Sequence, residues 1–109
     1  MDSSDGVSDD TFNLFKRFIA KDLKTKDLSP TSIKAGILVY GSDAVLQVAP
    51  TARKQMLDFA FDFLQRVNGQ RNFGLTISYI INAVLKNPRF VDTKSKKIIV
   101  LKVDGASPI

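Results

Sequence analysis

The sequence predicts an α/β domain, with an open sheet covered by helices on both faces, from three observations. Its 109 residues have ordinary globular composition, 44% hydrophobic and 25% charged, which suits one small domain. A continuously apolar segment, 35–40, and a nearly all-apolar one, 97–103, are typical of strands buried on both faces, as in parallel sheets. Helical periodicity precedes the first segment and separates the two. This alternation favours an open α/β sheet, in which functional residues follow the carboxyl ends of the strands.

The first predicted element is a helix that begins at Ser8 or Asp9 and ends before the segment KTKDLSP. Either residue can accept hydrogen bonds from the free amides of a first turn, and acidic residues suit this end of the helix dipole. Apolar residues then recur at three- and four-residue spacing. The predicted buried face consists of Phe12, Phe15, Phe18 or Ile19, and Leu23.

Two strands are predicted after this helix. The apolar segment 35–40 is bounded by Pro30 and Gly41, which indicates a buried strand. The turn sequence GSD leads into a short alternating strand, AVLQVAP, that ends at Pro50. Together they are predicted to form a hairpin at the edge of the sheet.

Two more helices are predicted in the second half of the chain. Thr51 is the expected cap of a helix over 52–68, and Asn68-Gly69 is its stop signal. Its expected buried face consists of Met56, Ala60, Phe63 and Val67, with Phe59 and Leu64 beside them. A further helix over 74–87 ends at Pro88, and its expected apolar residues are Leu75, Tyr79, Ile80, Val84 and Leu85.

Absent residue types exclude whole classes of function. The chain has no Cys and no His, which excludes disulfides, thiol nucleophiles, zinc–thiolate sites and Ser–His–Asp triads. We therefore expect no enzyme. No apolar run approaches the length of a membrane span, and residues 1–10 are too acidic for a signal peptide. Either the protein stays inside the cell, or an export signal is missing from this chain.

A net charge of +5 would suit a polyanionic partner. The lysines are spread along the chain, except for the cluster TKSKK at 93–97, which we expect to be a solvated loop. No aromatic residues interleave with it to stack bases, and neither a P-loop nor a GxGxxG motif occurs. A small basic nucleic-acid-binding domain is the least favoured of the alternatives.

Four segments together resemble the von Willebrand factor type A domain family: DSSDGVSDDTFNLFKRFI, KAGILVYGSDAVLQ, GLTISYIINAV and KKIIVLKVDGAS. In order and spacing they are similar to the family's Asp-x-Ser-x-Ser turn with its first helix, its second strand, a later helix start, and its fourth strand ending in Asp-Gly. The first segment and the helix GLTISYII look most like the A domains of type VI collagen and related matrix collagens. The resemblance implies a Rossmann-like, mostly parallel sheet.

The resemblance also implies a metal-ion-dependent adhesion site, in which Ser, Thr and Asp oxygens hold Mg²⁺ or Mn²⁺ and a partner carboxylate completes the shell. Asp2, Ser4 and Asp104 match ligand positions of that site. Gly6 stands in place of a second Ser, and Arg71 in place of the Thr, so a guanidinium adds positive charge where the cation would sit. It can pair with Asp2 or Asp104. We expect a relic site without a cofactor; weak residual binding of Mg²⁺ or Mn²⁺ is the alternative.

By resemblance, we expect a non-catalytic, secreted interaction or assembly module of a collagen-like or adhesion protein. Its expected partners are extracellular matrix proteins or other A domains, with no membrane insertion. The main alternative is a Mg²⁺- or Mn²⁺-dependent adhesion domain that binds a ligand carboxylate. Either way, Asp2, Ser4, Arg71 and Asp104 are expected to converge at one end of the sheet.

We also expect residues 1–109 to be one partial domain, truncated at both ends. In the family, a buried strand precedes the Asp-x-Ser turn and lies between the strands matched here by 33–40 and 97–103. Only Met1 occupies that place, and further strands and helices would normally follow Ile109. The two apolar strands are expected either to pair directly with each other or to associate with other chains.

Overall fold

A computed structural model describes residues 1–29 and 33–90, in which helices cover a β-hairpin. In chain order the elements are α1 (Asp9–Lys24), β1 (Ala35–Tyr40), β2 (Ala44–Thr51), α2 (Lys54–Phe61), α3 (Phe73–Tyr79) and a π-helical segment (Ile80–Leu85) that continues α3. Pro30, the basic cluster at 93–97, the strand predicted at 97–103 and Asp104 lie outside the described residues. No helix within the described ranges is long and apolar enough to cross a membrane.

Helix α1 begins as the sequence predicts. Ser8 is the N-cap, and its side chain accepts a hydrogen bond from the backbone N–H of Thr11 at 3.1 Å, which satisfies one of the free amides of the first turn. Phe12 is buried, and Phe15, Ile19 and Leu23 pack against the core beside it. Phe18 is 54% exposed, so Ile19 is the residue of that pair which faces the core.

Strands β1 and β2 form the predicted hairpin. They pair antiparallel, with Tyr40 opposite Ala44 and Leu38 opposite Leu46. The expectation that β2 ends at Pro50 is wrong by one residue, because the strand continues to Thr51. Proline has no backbone N–H to donate, but an edge strand tolerates proline at a position whose N–H would point away from the partner strand.

Strand β1 is fully buried only at its last two residues. Val39 and Tyr40 are both 0% exposed, and successive residues of a strand point to opposite faces. The sheet is therefore covered on both faces at this end. Gly36, near the start of the strand, is exposed.

The predicted mostly parallel sheet is not present among residues 1–29 and 33–90, where the one named sheet is two-stranded and antiparallel. A parallel element is nevertheless visible beside it. Asp2 forms an isolated parallel bridge with Tyr40: the N–H of Ser3 donates to the Tyr40 carbonyl at 2.7 Å, and the N–H of Tyr40 donates to the Met1 carbonyl at 2.9 Å. The turn that follows Asp2 therefore starts at the carboxyl end of β1.

Helix α2 is shorter than the predicted 52–68. Thr51 does not cap it, because this residue ends β2 and its hydroxyl accepts from the N–H of Arg53 instead, at 3.0 Å. The helix ends at Phe61, and an irregular segment follows. The side-chain amide of Gln47 bonds both the N–H and the carbonyl of Gln65, at 2.8 and 2.6 Å. Because a distant side chain already bonds these backbone groups, continuing the helix would add fewer hydrogen bonds.

The predicted buried face of α2 is only partly confirmed. Leu64 is buried, and Ala60 and Val67 pack against the core, as predicted, but the buried residues of the helix itself are Leu57 and Phe61. Met56, Phe59 and Phe63 are 49%, 70% and 61% exposed. Both sets recur at three- and four-residue spacing, so periodicity does not distinguish them, and only packing against α1 and the hairpin selects one.

Helix α3 matches the predicted third helix but begins one residue earlier, at Phe73. Its cap is Asn72, whose side chain accepts from the N–H of Leu75 at 3.0 Å. After Tyr79 the hydrogen bonding changes to the π-helical pattern, which the sequence does not predict. Of the expected apolar residues, Val84 is buried and Leu75 is 42% exposed.

The main core lies between the hairpin, α1 and α2. Its buried residues are Met1, Val7, Phe12, Ile37, Val39, Val48, Leu57, Phe61 and Leu64. Tyr40 points to the other face of β1, where its ring lies 5.7 Å from the ring of Phe73. Hence α3 is fixed against the face of the hairpin opposite the main core.

Candidate functional site

Asp2 lies at the centre of the candidate site and is fully buried. One carboxylate oxygen, Oδ1, accepts from the backbone N–H of Ser4 at 3.0 Å and from its hydroxyl at 2.7 Å. The other, Oδ2, lies 2.6 Å from Nη2 of Arg71. Both oxygens of this carboxylate are thus engaged by groups of the chain itself.

Arg71 reaches Asp2 from the loop before α3. Its guanidinium also lies over the ring of Phe73, 5.5 Å from the ring centroid, and its side chain is only 17% exposed. A buried carboxylate requires a nearby positive charge or several donors, because desolvation disfavours its charged form. The structure therefore brings Asp2, Ser4 and Arg71 together, as expected, whereas Asp104 is outside the described residues.

Gly6 occupies an exposed position in the turn after Ser4. A Cβ atom built at Gly6 would meet no atom of the described residues within 4 Å, and the backbone of Gly6 is not left-handed. The turn can therefore accept a side chain at this position without rearrangement.

Gly69 joins the turn formed by residues 2–7, here called the acidic turn, to the loop that carries Arg71. Its carbonyl accepts from the N–H of Asp5 at 2.9 Å, and its own N–H donates to the Asp5 carboxylate at 2.7 Å. The φ angle of Gly69 is 96°, a left-handed conformation that only glycine adopts at little cost. This residue type is therefore needed where the two loops meet.

The hairpin turn is the third loop of the site. The N–H of Ser42 donates to the carbonyl of Asn68, and the N–H of Asn72 to the carbonyl of Gly41, both at 3.1 Å. A Cβ on Gly41 would lie 1.8 Å from the carbonyl oxygen of Val67, so only glycine allows this approach. We call the surface built by segments 2–7, 41–43 and 66–72 the three-loop surface.

Ser3 and Arg66 hold this surface together, and the sequence gives no sign of either role. The Ser3 hydroxyl accepts from the N–H of Val67 at 2.7 Å and lies 2.9 Å from the carbonyl oxygens of Tyr40 and Val67, to which it can donate. Arg66 donates to the carbonyls of Ser3, Ser4 and Val7. Because every residue has a backbone carbonyl, neither composition nor spacing predicts which carbonyls will face the guanidinium of Arg66.

Tyr40 places a buried phenol next to this network. Among the described residues its hydroxyl has no hydrogen-bond partner. Burial raises the pKa of Tyr40, the negative charge of Asp2 raises it further, and the positive charge of Arg71 partly offsets both. The phenol is therefore protonated at neutral pH and is neither a base nor a nucleophile.

Within residues 1–29 and 33–90, no group of three or more acidic, His or Cys side chains could hold a metal ion. The arrangement is instead an ion pair in which the charges of Asp2 and Arg71 compensate each other.

Residues 1–108 match the sequence model of the von Willebrand factor type A domain. No curated protein sequence matches the chain significantly.

Proposed function

Because the chain belongs to the von Willebrand factor type A family, whose domains generally mediate protein–protein or adhesion interactions, we propose that it is a non-catalytic interaction module of the extracellular matrix. Its parent would be a collagen-like or adhesion protein, most like the matrix collagens with type VI-like A domains. Its partners would be other matrix proteins or other A domains. The family has an α/β fold, and we propose a mostly parallel, Rossmann-like sheet for this domain.

One observation carries this proposal: the three-loop surface is preformed. Hydrogen bonds between Asp5 and Gly69, and between Ser42 and Asn68, fix its loops relative to one another before any partner arrives. Binding by a rigid surface avoids the entropic cost of ordering loops. Such a surface suits recognition of another folded protein.

The residue content supports a role without catalysis. The chain has no His and no Cys, and the carboxylate of Asp2 and the phenol of Tyr40 are both buried. General acid–base catalysis needs a titratable group within reach of a substrate proton. Neither of these two groups meets that condition.

A solid-phase binding assay tests the proposal. The immobilised chain is exposed to native triple-helical collagen and to a second A domain, with heat-denatured collagen as the comparison. Gln70→Asp changes an exposed residue of the three-loop surface. Gln55→Asp is the matched control, because it is an exposed glutamine that adjoins the opposite end of β2.

The proposal expects saturable binding to one of these proteins that Gln70→Asp weakens and Gln55→Asp leaves unchanged. Failure to bind any of them, or equal weakening by both variants, would contradict it. Retention of nucleic acid on a filter at moderate as well as low salt would favour the basic nucleic-acid-binding alternative instead.

A further inference from the structure

We infer that the guanidinium of Arg71 takes the place of a divalent cation at Asp2, so that the three-loop surface is assembled without metal. The geometry points to this directly, because Nη2 of Arg71 lies 2.6 Å from Oδ2 of Asp2. The inference concerns the chemistry of the site, and it does not depend on which partner the module binds.

The described residues of the site do not fit Mg²⁺ or Mn²⁺. Mg²⁺ requires near-octahedral oxygen ligands at about 2.0–2.1 Å. Gly6 offers no side-chain oxygen, and Arg71 has donors but no acceptor. Ser4 directs its hydroxyl hydrogen to Oδ1 of Asp2, and Oδ2 is already paired with Arg71. A divalent ion would have to displace a positive group that is part of the chain.

Arg71 is held in position for this role. Its guanidinium lies over the ring of Phe73, and its neighbour Asn72 is anchored by a hydrogen bond to the carbonyl of Gly41. The planar fork of an arginine binds a carboxylate in a fixed geometry. A tethered cation of this kind cannot dissociate, so chelators and changes in metal concentration leave the site unaltered.

Two substitutions distinguish the hypothesis that Arg71 replaces the metal ion from the hypothesis that the site still binds a metal ion beside Arg71. Arg71→Thr removes the guanidinium and supplies a hydroxyl. Gly6→Ser adds a second hydroxyl where a Cβ meets no described atom within 4 Å. Without Arg71, the buried carboxylate of Asp2 lacks its positive partner, and a divalent cation then stabilises the folded state by mass action.

The experiment compares the unmodified chain with Gly6→Ser/Arg71→Thr and with the matched control Gly6→Ala/Arg71→Thr, which lacks only the added hydroxyl. Each is titrated with Mn²⁺ by electron paramagnetic resonance, and thermal unfolding is followed in Mg²⁺ and in a chelator. Arg71→Lys is included because it keeps the positive charge.

The unmodified chain and Arg71→Lys should bind no Mn²⁺ and unfold at the same temperature with Mg²⁺ or chelator. The Gly6→Ser/Arg71→Thr variant should bind Mn²⁺ roughly tenfold or more tightly than the alanine control, the usual scale for perturbing a ligand environment, and Mg²⁺ should raise its unfolding temperature. Stoichiometric Mn²⁺ binding by the unmodified chain would overturn the inference even if the variants fail to fold. Indifference of a folded Gly6→Ser/Arg71→Thr variant to both metals would also overturn it.

Discussion

The guanidinium of Arg66 pairs with the carboxylate of Asp9 at 2.7 Å and holds the first turn of α1 against the segment that follows α2. The same guanidinium donates to backbone carbonyls of the acidic turn, including that of Val7. The two kinds of contact are not equal. Asp9 is 86% exposed at its side chain, and an exposed ion pair contributes little, so the carbonyl contacts are the more important.

Arg66→Ala should therefore destabilise the protein by about 2 kcal/mol, because partly buried carbonyls lose their donor. Asp9→Asn, which removes the ion pair but leaves those carbonyls satisfied, should cost less than about 1 kcal/mol. Urea unfolding of the two variants measures both values. Equal losses would mean that the ion pair, and not the carbonyl contacts, holds the turn.

The corrected face of α2 gives a comparison of neighbouring residues. Leu57→Ala should lower the free energy of unfolding by about 2–5 kcal/mol, because Leu57 is 1% exposed within the core. Met56→Ala should change it by less than about 0.5 kcal/mol, since Met56 is 49% exposed. Chemical denaturation of both variants shows which face of α2 is buried. If Met56→Ala lowered the free energy of unfolding more than Leu57→Ala, the buried face would be the one expected from the sequence.

The buried phenol predicts how stability depends on alkaline pH. The pKa of Tyr40 is raised in the folded state by burial and by Asp2, so the folded state retains a proton that the unfolded state loses above about pH 10. Tyr40 therefore favours folding below that pH, and its contribution falls as the pH rises further. Tyr40→Phe should unfold with a weaker pH dependence above pH 10 than the unmodified chain, as measured by denaturation across that range. Identical dependence in the two chains would contradict the raised pKa.

Two glycines of the three-loop surface should respond oppositely to alanine. Gly41→Ala should cost at least about 3 kcal/mol or prevent folding, because its Cβ would lie 1.8 Å from the Val67 carbonyl oxygen. Gly6→Ala should change stability by less than about 1 kcal/mol, since its backbone conformation suits alanine. Circular dichroism melting curves provide the measurement. A stable Gly41→Ala protein would show that the hairpin turn and segment 66–72 do not approach as described.

Local chemistry explains what could be predicted from the sequence. Ser8 begins α1 because a side-chain cap acts within one turn, and Gly41 ends β1 because its turn is local. The meeting of Asp2 and Arg71 also follows from a general rule, since loops at the carboxyl end of a sheet share one edge.

Long-range competition explains what could not be predicted. Helix α2 stops early because distant side chains bind the backbone beyond it: Gln47 binds Gln65, and Ser3 binds Val67. The sequence of the predicted helix does not indicate these partners. The wrong placement of Met56, Phe59 and Phe63 in the buried face has a similar origin, because two apolar stripes with the same period differ only in what lies opposite them. Arg66 was missed because its partners are carbonyls, which every residue possesses.

The anchoring of Ser3 to Val67 has a consequence for how the chain folds. The two residues are 64 positions apart, as are Asp5 and Gly69, so the contacts that shape the three-loop surface close some of the longest loops in the described chain. Closing a long loop costs chain entropy before the contact returns any energy, and such contacts slow folding. The hairpin and α1 can form from nearby residues, whereas the acidic turn is fixed only once segment 66–72 has docked. The recognition surface is therefore expected to be a late product of folding, lost as soon as either half of the chain detaches.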